Sequence, residues 1–190
     1  ADNTGKILLD SGIGIDDIIG QSPIESMVTI TVGPEGSGAD FFTLKSAIDH
    51  AIKNYRPAKA VGGPFVKISI LPNFTTYESI VIDGIDLSWI LIDFGSTGAK
   101  INTSQTFLQI TNNAKSPILD GRPETNLSPS PIFAKVTNGG VLLGLDFQVN
   151  YSSFDAPTIK VYDGGIAFFE NLRPTGYNKV DIKNGFVYAR

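Results

Sequence analysis

Apolar residues along this chain come in short, β-branched runs separated by Asn, Asp and Gly, and in the second half the pattern repeats. The phrase Lys135-Val136-Thr137-Asn138-Gly139-Gly140-Val141 returns as Lys160-Val161-Tyr162-Asp163-Gly164-Gly165-Ile166. It returns more loosely as Asp181-Ile182-Lys183-Asn184-Gly185-Phe186, and a degenerate copy lies upstream at Gln109-Ile110-Thr111-Asn112-Asn113. Counted from the apolar residue, the steps from 110 to 136, 136 to 161 and 161 to 182 are 26, 25 and 21 residues. A short strand, an Asn/Asp-Gly turn and a second short strand at steps of this size spell a solenoid. Asn and Gly supply the left-handed corner conformation that other residues resist. The uneven step predicts a parallel β-helix with loops of variable length.

The same pattern predicts where the elements fall. Ser26–Val32 reads as a strand from its β-branched content. Further strands are predicted near 66–71, 79–83, 89–94, 106–111, 117–119, 132–137, 141–149, 158–162, 166–172 and 179–190. One helix is predicted over 43–55: Leu44, Ile48, Ala51, Ile52 and Tyr55 lie on one face. Thr43 is placed to cap it, and Pro57 followed by Gly62-Gly63-Pro64 ends it. A lone helix ahead of a run of strands suits an N-terminal cap that covers the first coil. The polar stretches 120–130 and 150–157 read as loops protruding from the solenoid.

Composition narrows the class. The chain has 190 residues, 42% hydrophobic and 18% charged, enough for one sizeable core. Its net charge is −4 and its pI about 4.9, and it has no Lys/Arg run, so nucleic acid is not an expected partner. With no cysteine, disulfides, thiolate metal sites and cysteine nucleophiles are excluded. No apolar stretch of about 20 residues predicts a membrane span, and no basic-then-apolar leader is visible. Two regions are expected: 1–30, an Ile-rich connector making oligomer contacts, and 31–190, a capped parallel β-helix cut short at its C-terminal end.

The segment from Thr31 to Ala51 (Thr31-Val32-Gly33-Pro34-Glu35-Gly36-Ser37-Gly38-Ala39-Asp40-Phe41-Phe42-Thr43-Leu44-Lys45-Ser46-Ala47-Ile48-Asp49-His50-Ala51) resembles the opening of right-handed parallel β-helix proteins of the pectate-lyase-like fold. Pectin-esterase-like chains and bacteriophage tail spikes and tail fibres open in this way, with a strand, a Gly-rich turn and an Ala/Ile-rich capping helix. The likeness covers about residues 28–56. Among these families the chain looks most like the head end of a phage tail spike, from its leading Ile/Gly/Asp segment and its later coils rich in Asn, Ser, Thr and Gly. That resemblance implies a homotrimer that binds, and often cleaves, bacterial surface polysaccharide. The catalytic signatures of pectin esterases and pectate lyases are not found, so no active-site residue is carried over.

The candidate chemistry is thin. His50, the only histidine, reads as a solvent-facing helix residue, and no Gly-x-Ser-x-Gly elbow accompanies it. No Ca²⁺ loop, phosphate-binding Gly loop or other cofactor motif is present, so no metal or cofactor is expected. The sequons at Asn73, Asn102, Asn126 and Asn150 read as polar turns. Carboxylates remain. Glycoside hydrolysis needs two acids about 5–9 Å apart. Neighbouring coils of a β-helix are about 4.8 Å apart, so acids one or two coils apart can form such a pair. Asp83, Asp120 and Asp163 each precede Gly and read as turn residues. Asp93, Glu124, Asp155 and Glu170 are the catalytic candidates.

Exposed aromatics are the usual platform for sugars, and Tyr77, Trp89, Tyr151 and Tyr162 are the candidates. In one register of the run 88–94, Trp89 and Asp93 share the outward face; in the other, which the apolar character of the run favours, Trp89 is core. The expected function is a tail spike or fibre segment, located in the virion, that supports recognition and degradation of surface polysaccharide, by hydrolysis or by elimination. The alternative is a secreted bacterial β-helix protein, a pectin-active enzyme or an adhesin.

Overall fold

The computed structural model describes residues 22–24, 26–57, 66–96, 99–125, 132–151, 159–170 and 180–190. They form a β-solenoid of about four turns, built from parallel sheets, with a single short helix near its start. Strands β1 (Ser22–Pro23) and β3 (Tyr55–Arg56) pair in parallel beside the helix. Strand β2 (Val28–Val32) opens the large sheet.

Helix α1 (Leu44–Asn54) begins where expected. The Thr43 hydroxyl accepts from the Ser46 N–H at 3.2 Å. Leu44, Ala47, Ile48 and Ala51 are buried, while Ile52 and Tyr55 pack half-buried against the core. Glu78, on the first coil, completes the cap from 34 residues away. Its carboxylate accepts the Leu44 and Lys45 N–H groups at 2.9 and 3.1 Å and the Thr76 hydroxyl at 2.9 Å. A carboxylate on the first turn both satisfies orphan donors and complements the helix dipole. His50 does not face solvent as expected. It is half-buried, its ring 5.0 Å from that of Phe41 and 6.0 Å from that of Tyr55.

Each of the first four coils contributes a strand to each of three sheets. Coil 1 is β4 (Val66–Ile70), β5 (Thr75–Thr76) and β6 (Ile80–Asp83). Coil 2 is β7 (Ile90–Asp93), β8 (Lys100–Ile101) and β9 (Leu108–Thr111). Coil 3 is β10 (Lys115–Gly121), β11 (Glu124–Thr125) and β12 (Ala134–Val136). Coil 4 is β13 (Val141–Phe147), β14 (Asn150–Tyr151) and β15 (Ile159–Tyr162). Coil 5 holds β16 (Ile166–Glu170) and β17 (Val180–Lys183), and β18 (Phe186–Ala189) starts the next. The large sheet runs β18-β16-β13-β10-β7-β4-β2, a five-stranded sheet β17-β15-β12-β9-β6, and a four-stranded sheet β14-β11-β8-β5.

The sequence repeat is the register of the five-stranded sheet. Ile110 pairs with Val136, Val136 with Val161 and Val161 with Ile182. The corner between this sheet and the large one is an Asn/Asp ladder. Asn112, Asn113, Asn138, Asp163 and Asn184 all have positive φ, from 50° to 61°. Neighbouring corners bond to each other: the Asn113 N–H donates to the Asn138 carbonyl at 3.0 Å, and the Asn138 N–H to the Asp163 carbonyl at 3.0 Å. At Gly140 and Gly165 the chain passes so close to the coil before it that a Cβ would lie 2.6 Å from the Ile110 and Val136 carbonyl oxygens.

Inward positions fill the interior. Ile68, Ile90, Ile92, Leu119, Leu142 and Ala167 point in from the large sheet, and Ile110, Val136 and Val161 from the five-stranded sheet. Phe94, Phe107, Phe133 and Phe147 form a ring cluster between them, with centroids 5.2–6.5 Å apart. The expected loop 120–130 begins inside two strands, since β10 runs through Asp120–Gly121 and β11 takes Glu124–Thr125. The expected loop 150–157 likewise begins in β14.

Candidate functional site

Outward positions of the large sheet stack in columns, one residue per coil. One column runs Thr31, Ser69, Asp93, Asp120, Leu145, Glu170 across six neighbouring strands. Its neighbour two positions back runs Thr29, Lys67, Leu91, Ile118, Leu143, Phe168, Tyr188. Asp93 and Asp120 therefore sit one coil apart, about 4.8 Å along the axis. Ile90, Ile92 and Phe94 point inward and are buried, which turns Asp93 outward as the first of the two registers requires.

Lys67 reaches this pair from coil 1. Its Nζ lies 2.7 Å from Asp93 Oδ2, and the Gly95 N–H donates to Asp93 Oδ1 at 2.8 Å. The two acids consequently diverge. Partial burial raises the pKa of Asp93, but the hydrogen bond from Lys67, that from Gly95 and the Lys67 charge together hold it below the usual carboxylate value. Asp120 is raised: partial burial disfavours its charge, and Asp93 and Asp146 add like-charge repulsion that the Gly121 N–H and Lys67 only partly offset. Asp146 occupies a bulge. Asp120 pairs with Leu145 and Gly121 with Phe147, so Asp146 is the extra residue, held at φ 46°. The two carboxylates thus share one field and are pushed in opposite directions by it.

The remaining sequence candidates scatter. Glu170 lies in the same column as the pair, two coils beyond Asp120, and is exposed. Glu124 belongs to the four-stranded sheet, between Lys100 and Asn150. Asp155 lies outside the described residues. Tyr77 is exposed at 72%, following β5. Trp89 is half-buried in the turn before β7, where its Nε1 donates to the Asp86 carbonyl at 3.0 Å. Tyr151 lies in β14, in register with Thr125, and its side chain is outside the described part of the structure. The Tyr162 hydroxyl donates to the Asp181 carboxylate on the five-stranded sheet. Among the described residues, Tyr77, Trp89 and Tyr162 do not form one platform. The exposed aromatics that do cluster are on the large sheet: the Phe168 and Tyr188 rings stack at 4.7 Å, with Phe186 beside them.

Two members of the site escaped the sequence. Asp120 reads in the sequence as a turn residue because it precedes Gly121; Gly121 does take φ 90° at the strand end, yet the Asp120 side chain faces outward beside Asp93. Lys67 gave no signal beyond its place in an alternating strand. Among the described residues, no group of three or more His, Asp or Glu side chains is placed to hold a metal ion, and no helix is long and apolar enough to cross a membrane. Comparison with family models, curated proteins and solved structures finds no match for this chain.

Proposed function

We propose that this chain is a β-helical segment of a bacteriophage tail spike or tail fibre, a virion protein that assembles as a homotrimer and recognises bacterial surface polysaccharide. The observation that carries the proposal is the outward Lys67–Asp93–Asp120 cluster, three half-buried polar groups on successive coils of a sheet. The three groups stand on successive coils, about 4.8 Å apart along the axis. A linear polymer of hydroxylated rings lying along the axis meets one cation and two carboxylates over these three coils. The chemistry suited to the pair is glycosidic cleavage, with Asp120 as proton donor and Asp93 as the charged carboxylate. A separation of one coil corresponds to the short, double-displacement spacing of about 5 Å.

The alternative, a secreted β-helix protein acting on pectin or serving as an adhesin, differs in substrate and in mass. The test is retention of the purified chain on immobilised capsular polysaccharides and lipopolysaccharides from a bacterial panel, beside pectin, with reducing-end release assayed in parallel. Retention on a bacterial glycan is the expected result. Retention on pectin alone transfers the proposal to the secreted alternative, and retention on none overturns both. Release of reducing ends that Asp120→Asn abolishes assigns cleavage to the pair; retention without release assigns recognition alone.

A further inference from the structure

The corner between coils 3 and 4 holds a dipeptide that is chemically labile in an unfolded chain. Asn138 is followed by Gly139, and at the corner after coil 5 Asn184 is followed by Gly185. With no side chain to hinder it, the Gly139 backbone nitrogen can attack the Asn138 side-chain amide carbon. A C–N bond forms, the amide nitrogen leaves as ammonia with the Gly139 proton, and a five-membered imide results. Water then opens the imide at either carbonyl and gives aspartate or its β-linked isomer. Asn138 is exposed, so water and base reach it freely.

The folded corner opposes the first step. Asn138 is held at φ 51° and Gly139 at φ 74°. The Asn138 N–H donates to the Asp163 carbonyl at 3.0 Å, its carbonyl accepts the Asn113 N–H at 3.0 Å, and the Gly140 N–H returns to the Thr137 carbonyl at 2.9 Å. The side-chain amide reaches back to the preceding coil, where Nδ2 donates to Thr111 Oγ1 at 3.4 Å. The Asn113 side-chain oxygen lies over Gly139 and leaves no room there for a Cβ. For the ring to close, the Asn138 side chain must leave Thr111 and fold over its own peptide, and the peptide between 138 and 139 must rotate. That rotation carries the Asn138 carbonyl away from the Asn113 N–H. The corner therefore has to open before the chemistry starts.

The products do not suit the closed corner. The β-linked isomer adds a main-chain carbon just before Gly140, where a Cβ would already lie 2.6 Å from the Ile110 carbonyl oxygen. Aspartate keeps the chain length but sets a carboxylate one coil, about 4.8 Å, from Asp163. Nearer the start of the same corner an amide meets an acid instead, with Asn112 Nδ2 donating to Asp83 Oδ1 at 2.7 Å. We propose that Asn138–Gly139 is a deamidation site that the closed corner shields and an opened corner exposes, so that opening between coils 3 and 4, once followed by formation of the β-linked isomer, is not reversed. The inference stands apart from the function proposed above: it concerns the lifetime of the fold and holds with any glycan or none.

Trypsin separates the two Asn-Gly sites, releasing residues 136–160 by cuts after Lys135 and Lys160 and residues 184–190 by a cut after Lys183. The chain is incubated at mildly alkaline pH, folded and in denaturing urea. Both peptides are followed by mass, with fragmentation to assign the residue, and by isoaspartyl methyltransferase labelling. Gly165→Ala, whose new Cβ presses on the Val136 carbonyl and loosens coil 4 from coil 3, is followed alongside once circular dichroism shows it folded. The urea sample is then refolded, and its folded and unfolded fractions are mapped separately. The expected results are deamidation at Asn138 about tenfold or more slower in the folded chain than in urea, faster loss in folded Gly165→Ala, and isoaspartate at 138 confined to the fraction that does not refold. A folded rate within about threefold of the rate in urea overturns the shielding. An unchanged rate in folded Gly165→Ala overturns the corner as the gate, and isoaspartate at 138 in the refolded fraction overturns the irreversibility. If Gly165→Ala does not fold, the wild-type comparison of folded and urea rates still decides the shielding.

Discussion

Replacing Gly165 by Ala tests the corner on which the coil stack depends. A Cβ there would lie 2.6 Å from the Val136 carbonyl oxygen, 2.9 Å from its carbon and 3.1 Å from the Tyr162 carbonyl oxygen. All three atoms are backbone, so no flexible side chain can give way. Ordinary contact begins at 3.4 Å, so the two coils must separate by about 0.8 Å at this point. The same point is held by the Gly165 N–H to Tyr162 and the Ile166 N–H to Gly140 hydrogen bonds, each 2.9 Å. Overpacking costs about 1–3 kcal/mol, and weakening one or two backbone bonds adds about 1 kcal/mol, for a loss of about 2–4 kcal/mol. Gly36→Ala is the control: its φ is 81° but nothing lies within 4 Å of the new Cβ, so it carries only the left-handed penalty of about 1–2 kcal/mol. Urea unfolding, followed by fluorescence of the single tryptophan and by far-ultraviolet circular dichroism, gives both values. A Gly165→Ala loss under about 0.5 kcal/mol, or one smaller than that of Gly36→Ala, would refute the close-stacked corner.

Three further outcomes follow from the structure. Glu78→Ala strands two helix N–H groups and should cost about 1–2 kcal/mol in urea unfolding, with Glu78→Gln recovering part of it. Ile48→Ala opens the buried face of α1 and should cost about 2–4 kcal/mol; a change under about 0.5 kcal/mol would make the helix a surface ornament. Asp93 and Asp120 should respond oppositely to pH. The folded pKa of Asp93 is lowered, so its contribution is present above the unfolded value of 3.8 and is lost as pH falls through the folded value; Asp93→Asn should therefore lower the neutral-pH Tm and flatten the acid limb. The folded pKa of Asp120 is raised, so its ionisation opposes folding as pH rises from 3.8 through the folded value, and Asp120→Asn should raise the neutral-pH Tm. Thermal melts from pH 3 to 8 decide it, and shifts of the same sign in both variants would contradict the shared field.

Much of the architecture was legible because the corner chemistry repeats. The apolar residue before each Asn/Asp turn, from Ile110 to Ile182, marks a true register position, since only Asn, Asp and Gly take the left-handed corner readily. The four-stranded sheet was not legible. Its strands Thr75–Thr76, Lys100–Ile101, Glu124–Thr125 and Asn150–Tyr151 are two residues each, too short to show alternation. The site was half legible. Asp93 stood out as an acid outside a turn, but its partner is set by coil length: Asp93 and Asp120 come together because the intervening coil closes in 27 residues. Glu78 escaped for a related reason, since a cap delivered across 34 residues leaves no local pattern.

Recognition of polysaccharide by the Lys67–Asp93–Asp120 cluster is tested most directly by calorimetric titration. The glycan retained in the panel would be titrated into the wild type, Lys67→Ala and the Asp93→Asn/Asp120→Asn double variant, each confirmed folded. Binding by the wild type and a weakening of at least about tenfold, roughly 1.4 kcal/mol, in both variants is the expected result. Wild-type affinity in the double variant would contradict the account.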